Sequence, residues 1–376
     1  MLQIPLRSLL RLIASRLSHR PSLVLRSKCD IVPQFLSAFL SAWLGLGLLN
    51  RTQVVHPSRE LDQVVNGYKN DGIAWKRPPT RDLAGSSMDL TLFAVSRATE
   101  TLIHDLWVRR RKSRQHRGRW TAFERMISQY ADSWLFATSA GTVMWAWFYL
   151  PHRLPQAYNA WIKSAAEVDD RLVEVLRRAR CGQFVYGKDT GQAAVLQSMC
   201  KDYGWPLIWG DPSKTVPLPC EMVHMGSGPS CHWHAIVRFF KAFKFALAMY
   251  LPLQIVLRIT HPSLSQFQKA CKEAARSSAF LGAFVSLFYY GVCLSRTQLG
   301  PKFISKCTIT PMMWDSGLCV RAGCLLCGWS ILFEAERRRQ ELAMFVLPRA
   351  AATLFPRSYD KKVSLSVITL DCELHG

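Results

Sequence analysis

Acidic residues are scarce in this sequence. Its 376 residues hold 26 Asp and Glu against 48 Lys and Arg, a formal net charge of +22. That excess alone points to an anionic partner, either nucleic acid or a membrane surface. A mean hydropathy of +0.04 argues against a soluble nucleic-acid binder, because basic soluble domains are more polar than this and lack its long apolar runs; it also excludes disorder of the whole chain. Catalytic signatures are missing as well: there is no Walker loop, dinucleotide fingerprint, HExxH pair or nucleophile motif. No enzyme is expected, and no nucleic-acid partner. The twelve cysteines are scattered, which suits buried thiols better than a secreted disulfide framework.

Charge is also missing locally, and there the absence is constructive. A helix rises ~1.5 Å per residue, so a hydrocarbon layer of ~30 Å takes roughly 20 residues. Ile31 to Leu49, Ser133 to Leu150 and Ser277 to Ser295 contain no Asp, Glu, Lys or Arg. Ala235 to Leu257 carries Arg238, Lys241 and Lys244 near one end, where long side chains reach the interface. Leu318 to Phe333 has Arg321 near its start and stops at Glu334. These five are the expected spans. Leu342 to Phe355, short and containing Pro348, is expected to be re-entrant, interfacial or packed between other helices.

Between Pro5 and Pro21 arginines alternate with leucines on an amphipathic wheel, and no acidic residue precedes Asp30. This is the composition of a mitochondrial targeting helix, a basic surface helix, or the product of a misplaced start. Arg109 to Arg119 reads RRRKSRQHRGR without interleaved aromatics, and is expected to be a solvated loop held on one membrane side by its charge. Residues 151–219 read as a polar linker in which Asp169 to Arg180 forms a short helix.

MDLTLFAVSRATETL, starting at Met88, aligns without gaps to QELAMFVLPRAAATL, starting at Gln340. Leu90, Phe93, Arg97, Ala98, Thr101 and Leu102 match Leu342, Phe345, Arg349, Ala350, Thr353 and Leu354. Six identities in one window favour duplication over convergence. Duplicated halves are common in transporters, where the pseudo-symmetric interface forms the pathway. Arg97 and Arg349 are therefore pathway or structural candidates, with Glu100, Asp105 and Glu341 as nearby counter-charges. So are Gly282 and Gly323, each central to a stripe of small residues at four-residue spacing: Ser278, Gly282, Ser286 and Cys319, Gly323, Cys327.

The densest set of ligand-type side chains is PCEMVHMGSGPSCHWH. Cys220, His224, Cys231 and His234 can supply a tetrahedral zinc site. A disulfide between Cys220 and Cys231, or an unliganded capping loop, would use the same residues. Cys324 and Cys327 form a CxxC inside an apolar run, where packing is the expected role.

PCEMVHMGSGPSC followed by RFFKAFKFALAMYLPLQIVLRI, SSAFLGAFVSLFYYGVCLSR and AGCLLCGWSILFEAERRRQELAMFVLPRA resembles the second half of the transmembrane protein 135 family in its fungal form. MDLTLFAVSRATETL is similar to the corresponding part of that family's first half. The resemblance implies a polytopic protein of peroxisomal or mitochondrial membranes, with a role in lipid-related transport or membrane homeostasis, and places a family motif on Cys220, His224, Pro229, Ser230 and Cys231. The first half lacks its own Cys/His motif, and the end departs from the family pattern after Arg357.

The expected protein is thus all-α: a polytopic helical integral membrane protein with two related halves. Its expected parts are residues 1–28 as a basic amphipathic segment, 29–150 as a partial first repeat, 151–219 as a linker, 220–358 as the Cys/His motif and second repeat, and 359–376 as a tail. Expected partners are membrane lipids, a second copy of the chain, or organelle membrane proteins. The alternative function is a metal- or redox-responsive membrane scaffold without transport.

Overall fold

The computed structural model describes residues 87–258, 263–299 and 309–355, together with Leu40, Trp43, Leu44, Arg357 and Tyr359. The chain divides into two units, Met1–Pro78 with Gly85–Leu90, and Pro79–Ala84 with Thr91–Gly376. Nearly all described residues belong to the second. Leu40, Trp43 and Leu44 apart, the expected span Ile31 to Leu49 falls outside the described residues, as does the whole basic segment before it.

The described residues are helical, with no strand among them. In order they form α1 (Met88–His116), α2 (Ala122–Tyr149), α3 (Gln156–Ala166), α4 (Asp170–Arg180) and α5 (Ala193–Tyr203). Then come α6 (Cys220–His224), α7 (Cys231–Val256), α8 (Leu264–Leu294), the composite helix α9 (Pro311–Phe333) and α10 (Glu336–Leu354). Hydroxyl and carboxylate caps fix several starts. Thr121 and Glu124 form a reciprocal capping box on α2, Asp169 accepts from the Arg171 amide, and Ser230 and Ser263 accept from the amides of Trp233 and Gln266. The α2 C-terminus is closed from outside, by Arg177 donating to the Phe148 and Trp147 carbonyls.

Among the described residues three helical runs are long and apolar enough to cross a membrane: Cys231–Val256, Leu264–Gln298 and Pro311–Phe333. They differ in what covers them. α8 is mostly buried by protein, whereas α7 leaves Trp233, Ile236, Phe240, Met249 and Leu253 exposed. Exposed apolar side chains on so long a helix are what a lipid-facing surface needs.

Ser133 to Leu150, expected as a span, forms the inner part of α2 and is not among those three runs. Phe136, Ala140, Val143, Met144, Trp147 and Phe148 are buried there against Val285, Phe288, Tyr289 and Val292 of α8 and Cys319, Val320 and Cys324 of α9. Its Ser, Thr, Trp and Tyr content leaves it less apolar than the three long runs. Leu342 to Phe355 takes the packed alternative, since α10 lies along α2 with Pro348 buried inside a continuous helix. The basic run is not a loop: α1 continues through it to His116 before turning at Arg117 and Gly118. Residues 151–219 are more than a linker. Leu172, Val175, Phe184, Leu196, Met199 and Cys200 make a core of their own that includes Leu218 and Met222.

Small residues set the closest crossings. A Cβ on Gly282 would sit 3.0 Å from the Phe239 carbonyl oxygen of α7, and one on Gly291 would sit 2.9 Å from the Gly323 Cα of α9. Any larger side chain at Gly291 or Gly323 forces the helices apart. Ser286 adds a bond between helices, its hydroxyl donating to the Ala235 carbonyl at 2.8 Å.

Candidate metal centre

The site begins with a short turn of helix and a sharp reversal. Met225, Gly226 and Gly228 all take positive φ (47°, 80° and 92°), folding the chain back behind α6. The Gly228 carbonyl thereby comes within 2.7 Å of His224 Nδ1. A carbonyl only accepts, so Nδ1 donates in this bond and Nε2 is the nitrogen left for a metal. That nitrogen faces two sulfurs, Cys220 Sγ at 3.5 Å and Cys293 Sγ at 3.4 Å. Ser230 caps α7 and sets Cys231 as its first residue, with Cys231 Sγ 3.8 Å from Cys220 Sγ.

The ligand atoms of Cys220, His224, Cys231 and Cys293 all lie within 4.8 Å of one another. Zinc binds sulfur at ~2.3 Å and imidazole nitrogen at ~2.0–2.1 Å, so a tetrahedron around it has S···S edges of about 3.8 Å and S···N edges of about 3.5 Å. The three contacts above match those edges. A Cys3His group that can hold a metal ion is therefore present, with His224 and Cys293 fully buried and Cys220 and Cys231 half-buried. All three cysteines are free thiols, so the disulfide alternative is not formed here.

Electrostatics favour the metal-binding form of Cys220. Its thiol is held below the ordinary range, first by a hydrogen bond from Cys293, with His224 and the charge of Arg296 adding to it against the effect of burial. For His224, burial favours the neutral ring, but the Cys220 sulfur and the Gly228 carbonyl outweigh it and raise its pKa.

One expected ligand is replaced. His234 lies on the same α7 turn as Cys231, yet its ring stacks on His224 at 4.6 Å between centroids and meets Tyr289 edge-on at 5.0 Å. It packs beneath the site, fully buried with no hydrogen bond to either ring nitrogen, and Cys293 takes the fourth position. Cys293 stands 62 residues after Cys231 in an apolar run, where local spacing gives no signal. Cys324 and Cys327 are buried in α9, with no imidazole or carboxylate grouped with them among the described residues. Cys181, unlike these, is disulfide-bonded.

A second tether lies one turn along α8. Arg296 and Asp315, both buried, form an ion pair at 2.7 Å, and Arg296 also donates to the Leu218 carbonyl at 3.0 Å, just before Cys220. Tyr186 donates to the same carboxylate. The chain leading into Cys220 is thus fixed to the starts and ends of the long helices.

Of the other expected residues, Arg97 pairs with Glu100 at 3.2 Å, and Arg349 lies over the Tyr158 ring at 5.7 Å. Glu100 also accepts from Gln340, so the two matched segments touch. Arg238 does not reach out to an interface. It is buried over Tyr289, donating to the Glu167 carbonyl at 3.2 Å, while Lys241 pairs with the Glu167 carboxylate at 3.2 Å. Glu167 caps α3 in a left-handed conformation, which aims its carbonyl and side chain at α7.

Comparison with known proteins finds no matching protein family, no matching curated protein and no matching solved structure. The class rests on the molecule itself: described residues that are helical without strands, three helices among them fit to cross a membrane, and a Cys3His cluster joining two of these.

Proposed function

We propose that the protein is a multi-pass organelle membrane protein acting as a scaffold, in which zinc held by Cys220, His224, Cys231 and Cys293 clamps the folded 151–219 region onto α7 and α8. The observation that carries this is the four-ligand geometry, with His224 oriented by the bond from its Nδ1 to the Gly228 carbonyl. Bound zinc supplies a fixed, redox-inert crosslink. The reading is non-catalytic: closed four-protein-ligand sites leave no position for substrate.

A lipid-related role at a peroxisomal or mitochondrial membrane stays with the scaffold as a second reading, carried by the resemblance to the transmembrane protein 135 family and by the exposed apolar side of α7. The apolar cavity beneath the metal centre, lined among others by Phe148, Met222 and Phe288, measures ≈ 60 Å³. Ligand sites usually enclose ~300 Å³ or more, so that cavity is too small for a lipid, which would be met on the exposed side of α7 or in the ≈ 420 Å³ cleft beside Ile255, Leu264 and Phe267.

Metal analysis of the purified full-length chain tests the scaffold. About one zinc per chain is expected, lost on Cys293→Ser. Absence of bound metal at neutral pH overturns it. Release by carbonate extraction overturns membrane integration, and lipid flux in reconstituted liposomes that is indifferent to zinc favours the second reading.

A further inference from the structure

Among the described residues little packs on α1. Of its 29 residues, about 43 Å of helix, only Ser96 is buried. Its exposed apolar residues are not scattered. Val95, Leu102 and Leu106 recur at helical spacing with Ile103 beside them, and Arg109 and Arg110 continue the same stripe one turn further on.

From Arg109 to Arg125 there are eight Lys and Arg and one acidic residue, Glu124. Glu124 pairs with Arg110 at 3.0 Å and Arg114 at 3.3 Å, and Asp105 with Arg109 at 2.7 Å. Arg111, Lys112, Arg117 and Arg119 have no carboxylate partner among the described residues. At the junction of apolar stripe and cationic end, Trp107 and Trp120 meet edge-on at 5.8 Å, and Trp107 is held by a 2.8 Å bond to Ser128 Oγ.

We infer that α1 and the turn after it dock on an anionic bilayer surface. Val95, Leu102, Ile103 and Leu106 enter the acyl boundary, the two tryptophans sit at headgroup level, and the four unpaired cations meet lipid phosphates. Each part of the order apolar, aromatic, cationic has a place at a membrane face. A nucleic acid would satisfy the arginines and leave the apolar stripe in water. The inference rests on the membrane reading and not on the metal centre.

The test is hydrogen exchange on the full-length protein in nanodiscs of phosphatidylcholine alone or with about one-third phosphatidylserine. Peptides covering Leu102 to Trp120 are expected to exchange roughly tenfold more slowly in the anionic discs. High salt and the combined Arg111→Gln, Lys112→Gln, Arg117→Gln, Arg119→Gln variant should each abolish the difference, while α8 peptides stay unchanged and report an intact fold. Equal exchange of the wild type in the two lipids overturns the inference, whether or not the variant folds. So does protection that appears with a single-stranded RNA in neutral discs but not with anionic lipid. Carbonate resistance and zinc content, read on the same preparations, separate this failure from failure of the membrane or scaffold readings.

Discussion

Two groups of cysteines sit within a few turns of each other and differ in every respect that decides chemistry. Cys220, Cys231 and Cys293 come from three helices, surround one imidazole and include two half-buried thiols. Cys319, Cys324 and Cys327 come from one helix and are buried among Val, Phe and Trp, with the Cys327 thiol donating to the Cys324 carbonyl at 3.4 Å. The CxxC looks like the better motif. The better site is the one whose ligands are 73 residues apart, because metal binding needs convergent donors, and convergence is supplied by packing.

The largest test of that contrast removes a ligand. Cys293→Ser, His224→Ala or Cys231→Ser should each abolish stoichiometric zinc, and chelation should lower the wild-type Tm, since apparent structural-zinc binding of ~10–16 kcal/mol in small domains couples directly to folding. Retained metal in Cys293→Ser would return the fourth position to another group.

Next in size is His234→Ala, which should keep its zinc while costing about 2–4 kcal/mol for the buried volume lost beneath His224 and Tyr289. Zinc analysis and denaturant unfolding in detergent read the two effects separately. Loss of metal without loss of stability would make His234 a ligand after all.

The metal-free protein should also distinguish its thiols by reactivity. Cys220, its thiol held below the ordinary range, should be alkylated by iodoacetamide at mildly acidic pH, whereas buried Cys319, Cys324 and Cys327 should resist. The sign is set by linkage: the folded apo-state favours the Cys220 thiolate, so this contribution is present above the unfolded pKa and lost as pH falls through the folded one. Mass spectrometry of the labelled peptides checks both. Smallest of all is Cys327→Ala, which should retain zinc and cost about 1 kcal/mol for a lost buried sulfur.

The repeat explains how much of this was legible. Both matched segments read as amphipathic helices and both are helices, with Phe93 and Phe345, and Leu102 and Leu354, exposed in each. Their partners differ. Ala350 and Thr353 are buried in α10, while Ala98 and Thr101 are exposed in α1. Periodicity selects the face, and the neighbouring helix decides whether that face is covered. The same limit hid Cys293, whose meaning lies in the α8 crossing. It also misplaced Arg238, whose partner is the left-handed cap of a helix 71 residues earlier. Three cluster ligands, three of the expected spans and the α4 helix were legible because local spacing alone defines them. Whether Ser133 to Leu150 faces lipid or protein was not, since a Trp- and Ser-bearing apolar run suits either.

The contact between Gly291 and Gly323 bears on the metal centre in another way. Cys293 lies two residues beyond Gly291 on α8, within the same turn as the backbone-to-backbone contact. Where two main chains touch, neither helix can slide without a steric clash, so that level of α8 is a fixed post. A ligand anchored there does not drift with its loop. The coordination set takes its position from the long apolar helices, and a pull on residues 220–231 is borne by the whole bundle.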